Sequence, residues 1–345
     1  MKEDIYTGNC LDVLPTLDKD SIDLVITDPP YFLDGFDNNW KKGQVLVKER
    51  TGVIGGLPVG MKFDRRQGIA LQEFMTDVSN LMYVVMKPGA FAVVFSQPRL
   101  AHRMAIALEE ANFEIRDLYA WHFNRRSQPK AFSMDHFVRQ KVMSDDEKEE
   151  LIEKLQGRKT PQLRPQFEAM ILAQKPKIGT FIENWLEHET GLIDMAASLD
   201  GKAPSTIMTV EKPSRSQFNG HSTVKPVRLI EHLIKLFSIP GQTVLDPFLG
   251  SGTTAVGAKK LGRRYIGIEI NPEYVSIAKR RLDMAPDGGK CMNVEVLDPN
   301  NMLAWVCFIL KRLFLMFCLS LSMSRSAWGQ QKSAKELVFF VTVVQ

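Results

Sequence analysis

Two successive prolines, at positions 29 and 30, constrain this chain more than any other feature. They follow the segment Ile-Asp-Leu-Val-Ile-Thr at 22–27, whose mostly β-branched and apolar residues are typical of a strand buried on both faces. Because proline lacks a backbone N–H and clashes with a preceding helical turn, the strand has to end there. Asp28 is therefore predicted to lie at the carboxyl end of a buried strand, with Tyr31 just beyond the turn.

Strand-like and helix-like segments alternate on both sides of this strand. The predicted strands are 4–7, 22–27, 90–95, 114–121, 243–246 and 265–270. The predicted helices are 12–17, 72–86, 99–110, 227–237, 253–261 and 272–282. Such alternation is typical of a largely parallel sheet with helices on both faces.

Two stretches interrupt this alternation. Residues 32–68 are rich in glycine and lack a regular pattern, and a loop of this length favours a mobile lid over a site. Residues 122–220 form the second stretch, which we interpret as an insertion or a separate recognition segment. Within it, Ser144 and Glu147 have the spacing of a capping box and predict a charged helix to about residue 156.

A glycine loop follows the predicted strand at 243–246. Gly250 and Gly252 stand between that strand and the next helix, where glycine permits positive φ and a close approach of a ligand to the backbone. Glu269 ends the following strand, about twenty residues further on, where a carboxylate can accept hydrogen bonds from ribose hydroxyls. The segment is neither a full dinucleotide fingerprint nor a phosphate-binding P-loop. It favours recognition of a nucleoside without a triphosphate, and the alternative is a plain turn followed by a surface glutamate.

Composition limits the classes of protein that fit. The chain has 44% hydrophobic and 24% charged residues, which is typical of globular proteins, and its net charge of +4 is compatible with nucleic-acid binding without requiring it. Its four cysteines form no C-x-x-C pair, so we expect neither a metal site nor a disulfide framework. The first residues lack the apolar core of a signal peptide, which favours a cytoplasmic location.

The segment Asp28-Pro29-Pro30-Tyr31 and the glycine loop together resemble the catalytic tetrad and the cofactor loop of the amino-methyltransferases that act on DNA. The tetrad comes first and the glycine loop near the end, an order that resembles the β-class permutation, and the resemblance covers roughly residues 4–283. It implies a Rossmann-like, circularly permuted α/β fold with a seven-stranded, mostly parallel sheet, one antiparallel strand near its edge and helices on both faces. The strand after the glycine loop is then expected to pair near the strand before the tetrad, which brings Gly250 and Asp28 to one edge of the sheet.

The resemblance also implies S-adenosylmethionine as the cofactor. The residues that it assigns to this cofactor are Asp12, His221, Thr223, Lys225, Asp246, Phe248, Gly250, Ser251, Gly252, Thr253, Thr254 and Glu269. Residues 121–125 resemble a segment that usually reads Trp-x-Lys, but Phe123 stands where the lysine is expected and receives no role. Residues 167–169 weakly resemble a segment near the flipped base.

The implied reaction is direct methyl transfer to an exocyclic amine of a base that has been flipped out of double-stranded DNA. Asp28 and the carbonyl of Pro29 would hold the amine, Pro30 would stiffen the turn, and Tyr31 would stack on the base, a contact worth ~1–3 kcal/mol. No metal is needed, and the absence of a Pro-Cys dipeptide argues against methylation of a cytosine ring carbon. Aspartate at the first tetrad position favours adenine N6, with cytosine N4 as the alternative.

The resemblance divides the chain into four parts: a catalytic half at 1–121, a recognition segment at 122–220, a cofactor-binding half at 221–284 and an atypical apolar tail at 285–345. Arg125, Arg126, Lys130 and Arg139 lie among aromatic residues of the second part and are predicted to contact DNA, the alternative being a solvated surface. We interpret the tail first as an artefactual extension, second as a helix that packs on a partner, and last as a membrane anchor, because Lys311 and Arg312 interrupt its apolar run.

Two other functions stay open from the sequence. One is a catalytically inactive DNA-binding subunit of a restriction-modification complex, against which the intact Asp28 and glycine loop argue. The other is methylation of an RNA or protein amine. A homodimer and a cognate restriction endonuclease are the further partners that the sequence leads us to consider.

Overall fold

The computed structural model describes residues 4–31, 65–123, 131–161, 163–199, 201–213 and 224–288. Its centre is one sheet with eight strands. In chain order these are β1 (Asp4–Thr7), β2 (Ile22–Thr27), β3 (Met86–Ser96), β4 (Glu114–His122), β5 (Phe167–Gln174), β6 (Ile207–Thr209), β7 (Thr243–Asp246) and β8 (Arg264–Glu269). The predicted strands are confirmed to within a few residues, apart from β3, which starts earlier.

The helices of the described residues match the predicted alternation. They are α1 (Cys10–Val13), α2 (Arg65–Val85), α3 (Ala101–Glu110), α4 (Asp135–Arg139), α5 (Asp145–Lys154), α6 (Phe181–His188), α7 (Val227–Phe237), α8 (Thr253–Lys260) and α9 (Pro272–Met284). The capping box at α5 is confirmed, since Ser144 and Glu147 bond each other reciprocally. Helix α6 begins with a second capping box, formed by Thr180 and Glu183, that the sequence analysis did not identify.

The strand order is β1-β8-β7-β2-β3-β5-β4-β6, and β5 alone runs antiparallel to its two neighbours. The mostly parallel sheet and its permuted order are therefore confirmed. The expected pairing needs a correction, because β2 pairs with β7, the strand before the glycine loop, through Leu24 opposite Val244 and Val25 opposite Leu245. The strand after the loop, β8, lies one position further out, between β7 and β1.

The expectation of seven strands was wrong. The additional strand is β6, which is only three residues long and pairs with the end of β4. A strand of this length is too short to show a hydrophobic period, and it lies in a stretch rich in proline and serine that favoured a loop. Both β5 and β6 come from the range 122–220, so this range supplies two strands of the central sheet in addition to helices.

Helices cover both faces of the sheet. Alternate residues of β3 point to opposite faces, as the strand period requires: Ala92 and Val94 pack with α2 and α3, whereas Val93 and Phe95 pack with α7. Helix α2 begins at Arg65, so residues 65–68, which were predicted as the end of the lid, are helical. Arginine and glutamine in this segment favour a helix, and Gly68 is buried near Leu100. The rest of the predicted lid, 32–64, and the tail beyond 288 lie outside the described residues.

No helix in the part of the chain that the structure describes combines the length and the apolarity needed to span a membrane.

Candidate active site

The carboxyl ends of β2 and β7 meet at one edge of the sheet. The Thr27 hydroxyl, at the end of β2, donates to Oδ1 of Asp246, at the end of β7, over 2.7 Å. The same oxygen accepts the backbone N–H of Phe248 at 3.1 Å. Because Asp28 follows Thr27 directly and the glycine loop follows Asp246, these contacts bring the two motifs together across 219 positions of sequence. This juxtaposition is the one that ligand sites in open α/β sheets require.

Asp246 is buried, and burial raises the pKa of its carboxyl to about 6. A carboxyl whose pKa is raised in the folded state stabilises the fold below its unfolded pKa of about 3.9, and this contribution is lost as the pH rises through about 6. At pH 8 the buried charge therefore weakens the fold relative to pH 4.

We expect Asp246→Asn to be more stable than the unmodified chain at pH 8, by up to about 3 kcal/mol. The new amide keeps an oxygen for Thr27 and Phe248 without the buried charge. The measurement is the thermal midpoint of both proteins between pH 4 and pH 8. The difference should shrink as the pH falls, and a constant difference at all pH values would contradict the assigned cause.

The glycine loop uses the conformations that only glycine adopts easily. Gly250 has φ 54° and Gly252 has φ 84°, and Gly252 is the N-cap of α8. A Cβ atom at Gly252 would lie 2.7 Å from the Cβ of Ala278, on the helix α9. The loop is therefore held in a left-handed turn that packs directly against α9.

Arg281 of α9 fixes the same loop. Its Nη1 donates to the carbonyl oxygen of Ser251 at 2.6 Å, to the hydroxyl of Ser251 at 2.8 Å and to the hydroxyl of Thr253 at 3.1 Å. Sequence analysis gave no role to this arginine. The contact joins residues 30 positions apart, and no local pattern indicates it.

Glu269 links the glycine loop to the start of α9. Its Oε2 accepts the backbone N–H of Gly250, and its Oε1 accepts that of Asn271, each at 2.8 Å. The side chain is buried, and burial raises the pKa of its carboxyl, although these backbone bonds act in the opposite direction. Each carboxylate oxygen has capacity for a further donor, such as a ribose hydroxyl.

A pocket lies beside Glu269. It is lined by Gly8, Asn9, Cys10, Pro247, Phe248, Ile268, Glu269 and Ile270. The lining combines a carboxylate acceptor with apolar side chains and backbone from three separate strand ends. This set fits the nucleoside part of S-adenosylmethionine, because ribose offers hydroxyl donors and adenine offers an apolar face.

The remaining residues predicted to bind the cofactor have different surroundings. Thr253 and Thr254 are buried in the first turn of α8, and Asp12 is exposed on α1. His221 and Thr223 lie outside the described residues. Whether these residues touch the cofactor stays a prediction.

In the tetrad, Tyr31 makes a contact that the sequence did not reveal. Its hydroxyl donates to Oδ1 of Asp28 at 2.5 Å. Burial, together with the nearby charge of Asp28, raises the pKa of the phenol well above its usual value, so that Tyr31 remains a donor at any ordinary pH. Pro29 is buried directly after Asp28, which makes the turn rigid.

Lys225, which was predicted to bind the cofactor, contacts the tetrad. Its ammonium donates to Oδ2 of Asp28, lies 3.2 Å from Oε2 of Glu168 and sits 5.0 Å from the centre of the Phe95 ring. Burial lowers the pKa of Lys225, but attraction to Asp28 and Glu168 outweighs burial and leaves the pKa raised. The resemblance assigned Lys225 to the cofactor; the structure brings its charged end to Asp28, the aspartate that is predicted to be catalytic.

Glu168 and Lys212 extend this charged group. Lys212 Nζ lies 3.6 Å from Oε1 of Glu168 and 3.8 Å from the centre of the Phe123 ring. Sequence analysis gave no role to Lys212. Two signals from the resemblance pointed to this place: the departure at Phe123, where a lysine was expected, and the weak match at 167–169, which contains Glu168. Here the Lys212 ammonium comes from the segment after β6 and lies on the Phe123 ring.

The predicted DNA contacts are only partly within the described residues. Arg139 ends α4 and forms an exposed ion pair with Glu149 of α5, at 3.2 Å. Such an exposed pair contributes little to stability, so it does not prevent Arg139 from meeting a phosphate. Arg125, Arg126 and Lys130 lie outside the described residues.

The chain is similar to a known protein family and to individual proteins. The family described as DNA methylase matches residues 22–280 of this chain. Type II methyltransferase M.HindIII of Haemophilus influenzae is 30% identical over 298 residues, which cover 81% of this chain and 94% of that protein. DNA adenine methyltransferase YhdJ of Escherichia coli is 49% identical over 69 residues, which cover 20% of this chain and 24% of that protein.

A solved structure has the same fold. The cytosine-N4-specific PvuII DNA methyltransferase superposes with a TM-score of 0.54 at 20% identity, over 81% of this chain and 86% of that chain. At this level of identity the likeness concerns the arrangement of strands and helices. It agrees with the permuted, mostly parallel sheet described above.

Proposed function

Because this chain belongs to the DNA methylase family and is an S-adenosylmethionine-dependent DNA methyltransferase, we propose that it methylates the N6 amine of adenine. The observation that carries the proposal is the position of Asp28. Its carboxylate stands at the end of β2, next to the strand that leads into the glycine loop. An acceptor for the amine and a pocket for the methyl donor therefore share one edge of the sheet.

The methyl donor fits the pocket beside Glu269, with Glu269 as the acceptor for ribose hydroxyls and Phe248, Ile268 and Ile270 as its apolar walls. When bound, S-adenosylmethionine supplies a methyl group that is already activated by its positively charged sulfur. Arg281 and Glu269 hold the glycine loop in place from two sides, and thus limit where the reacting end of the donor can lie.

The amine of adenine is a weak nucleophile because its lone pair is shared with the ring. Asp28 Oδ2 and the carbonyl of Pro29 would accept hydrogen bonds from its two N–H groups, which favours the pyramidal nitrogen of the transition state. Tyr31 keeps Oδ1 of Asp28 occupied and orients the carboxylate. When the nitrogen gains the methyl group it becomes positively charged, and it returns to neutrality by giving one proton to Asp28 Oδ2.

Two observations support adenine over cytosine. Aspartate occupies the first position of the tetrad, and a relative named as a DNA adenine methyltransferase is 49% identical over 69 residues. Incubation with labelled methyl donor and unmethylated duplex DNA, followed by digestion to nucleosides, tests the proposal. We expect the label in N6-methyl-2′-deoxyadenosine, and label in N4-methyl-2′-deoxycytidine would contradict the choice of base. The same incubation with fully N6-methylated DNA is the control and should incorporate no label.

The range 122–220 remains our proposal for DNA recognition. It follows the predicted catalytic half, residues 1–121. It contains the four predicted DNA contacts, Arg125, Arg126, Lys130 and Arg139. Strands β5 and β6 of this range belong to the central sheet, so recognition would rest on the parts of the range outside these two strands. The homodimer, the restriction endonuclease partner and the cytoplasmic location remain predictions as well.

A further inference from the structure

Both oxygens of the Asp28 carboxylate already accept a hydrogen bond. Oδ1 accepts from the hydroxyl of Tyr31, and Oδ2 accepts from the ammonium of Lys225. The target amine needs the same carboxylate as its acceptor. The Lys225 ammonium takes one of the two acceptor directions of Oδ2, so the ammonium and the amine compete for space at this oxygen.

The charge of Lys225 makes this conflict larger in the transition state. Methyl transfer places a positive charge on the amine nitrogen, and a second cation bonded to the same carboxylate would repel it. Loss of a proton does not relieve the repulsion, because burial of Lys225 is outweighed by attraction to Asp28 and Glu168, which raises the pKa of the ammonium. Repulsion between the two cations therefore favours a shift of the charged Lys225 ammonium away from Asp28.

Glu168 offers a second place for this ammonium. Its Oε2 lies 3.2 Å from Lys225 Nζ, close enough for an ion pair, yet this buried oxygen has no aligned hydrogen bond from any described residue. Its Oε1 faces Lys212 at 3.6 Å. Strand pairing opposite Trp121 holds the backbone of Glu168 in β5. A rotation of the Lys225 side chain over a short distance would therefore be enough to transfer the ammonium from Asp28 to Glu168.

We propose that Glu168 is a positioning residue, which takes the Lys225 ammonium from Asp28 when the target amine binds and so leaves Oδ2 of Asp28 free for the amine. This inference rests on the proposed function of Asp28. Lys212, which lies over the Phe123 ring, keeps Oε1 of Glu168 turned away and Oε2 directed at Lys225. The substrate amine and the ammonium then each have a carboxylate of their own.

The test is a double-mutant cycle of Glu168→Gln and Lys225→Gln, measured as single-turnover methyl transfer to duplex DNA. Glu168→Gln removes the charge that draws the ammonium away, so we expect the transfer rate to fall about tenfold while the affinity for S-adenosylmethionine is unchanged. Lys225→Gln removes the ammonium that Glu168 is proposed to take, and its transfer rate is the reference for the second arm of the cycle. In that background, Glu168→Gln should change the rate less than about twofold.

Glu187→Gln is the matched control, because Glu187 is an exposed carboxylate on α6, with 70% of its side chain accessible. An equal loss for Glu168→Gln in both backgrounds, no loss in either, or a loss of cofactor binding or thermal stability would overturn the positioning role. Inactivity of Lys225→Gln would overturn it too, because Lys225 would then be required rather than displaced. If the unmodified enzyme transferred no methyl group to DNA, the proposed function would fail instead.

Discussion

Asp28→Asn is expected to reduce the rate of methyl transfer about a thousandfold. The asparagine keeps the size of the side chain but replaces a charged acceptor by a neutral amide, half of which is a donor. An amide pulls less strongly on the protons of the target amine, and it cannot take up the proton that the methylated nitrogen has to lose. The affinity for S-adenosylmethionine should stay unchanged, because Glu269 and the pocket beside it are untouched.

The rate is best measured under single-turnover conditions, with labelled methyl donor and unmethylated duplex DNA, beside a calorimetric measurement of cofactor binding. Asp18→Asn is the matched control, since Asp18 is exposed before β2 and should leave both values unchanged. A variant at Asp28 that binds the cofactor and retains most of its transfer rate would show that another group accepts the amine. A variant that also loses cofactor binding would point to a structural role.

The part of this site that could be predicted is the part that depends on local pattern. The buried run at 22–27 ends at two prolines, and the glycine loop stands between a short apolar strand and a helix, so both strand ends were predicted to within a residue. Their adjacency came from the resemblance, and the structure confirms it through the pairing of β2 with β7.

The contacts that organise the site could not be predicted in the same way. The bond from Lys225 to Asp28 joins residues 197 positions apart, and the bond from Arg281 to Ser251 joins residues 30 positions apart. Neither pair has a spacing that a helix or a strand would impose. Such contacts depend on which strand ends the topology brings together. Local sequence patterns do not show which distant segments become neighbours in the fold.

The additional strand, β6, shows a different reason why sequence patterns fall short. Strand β6 consists of Ile207–Thr209, between segments that contain Pro204 and Pro213. Its formation depends on the free edge of β4, which offers backbone groups for pairing, rather than on any preference of three residues alone. Lys212 follows this strand, so its contact with Glu168 could not be predicted either.

Glu269→Ala is expected to weaken the binding of S-adenosylmethionine at least about a hundredfold. Two losses act together. The acceptor for the ribose hydroxyls disappears, and the backbone N–H groups of Gly250 and Asn271 lose the carboxylate that both of them contact at 2.8 Å. The glycine loop would then keep its contact with Arg281 but lose the one with Glu269, so the pocket would also lose part of its shape.

Glu269→Gln separates these two losses, because a glutamine has the same length and its single carbonyl oxygen can serve one of the two backbone groups, while its amide nitrogen faces the other. We expect an intermediate affinity for this variant. Calorimetric titration with S-adenosylmethionine and with S-adenosylhomocysteine measures the effect, and both ligands should lose affinity equally, since they share the ribose. Glu273→Gln, at an exposed glutamate in the first turn of α9, is the control and should bind as the unmodified chain does. If Glu269→Ala bound both ligands with unchanged affinity, the nucleoside would have to lie elsewhere than in the pocket beside Glu269.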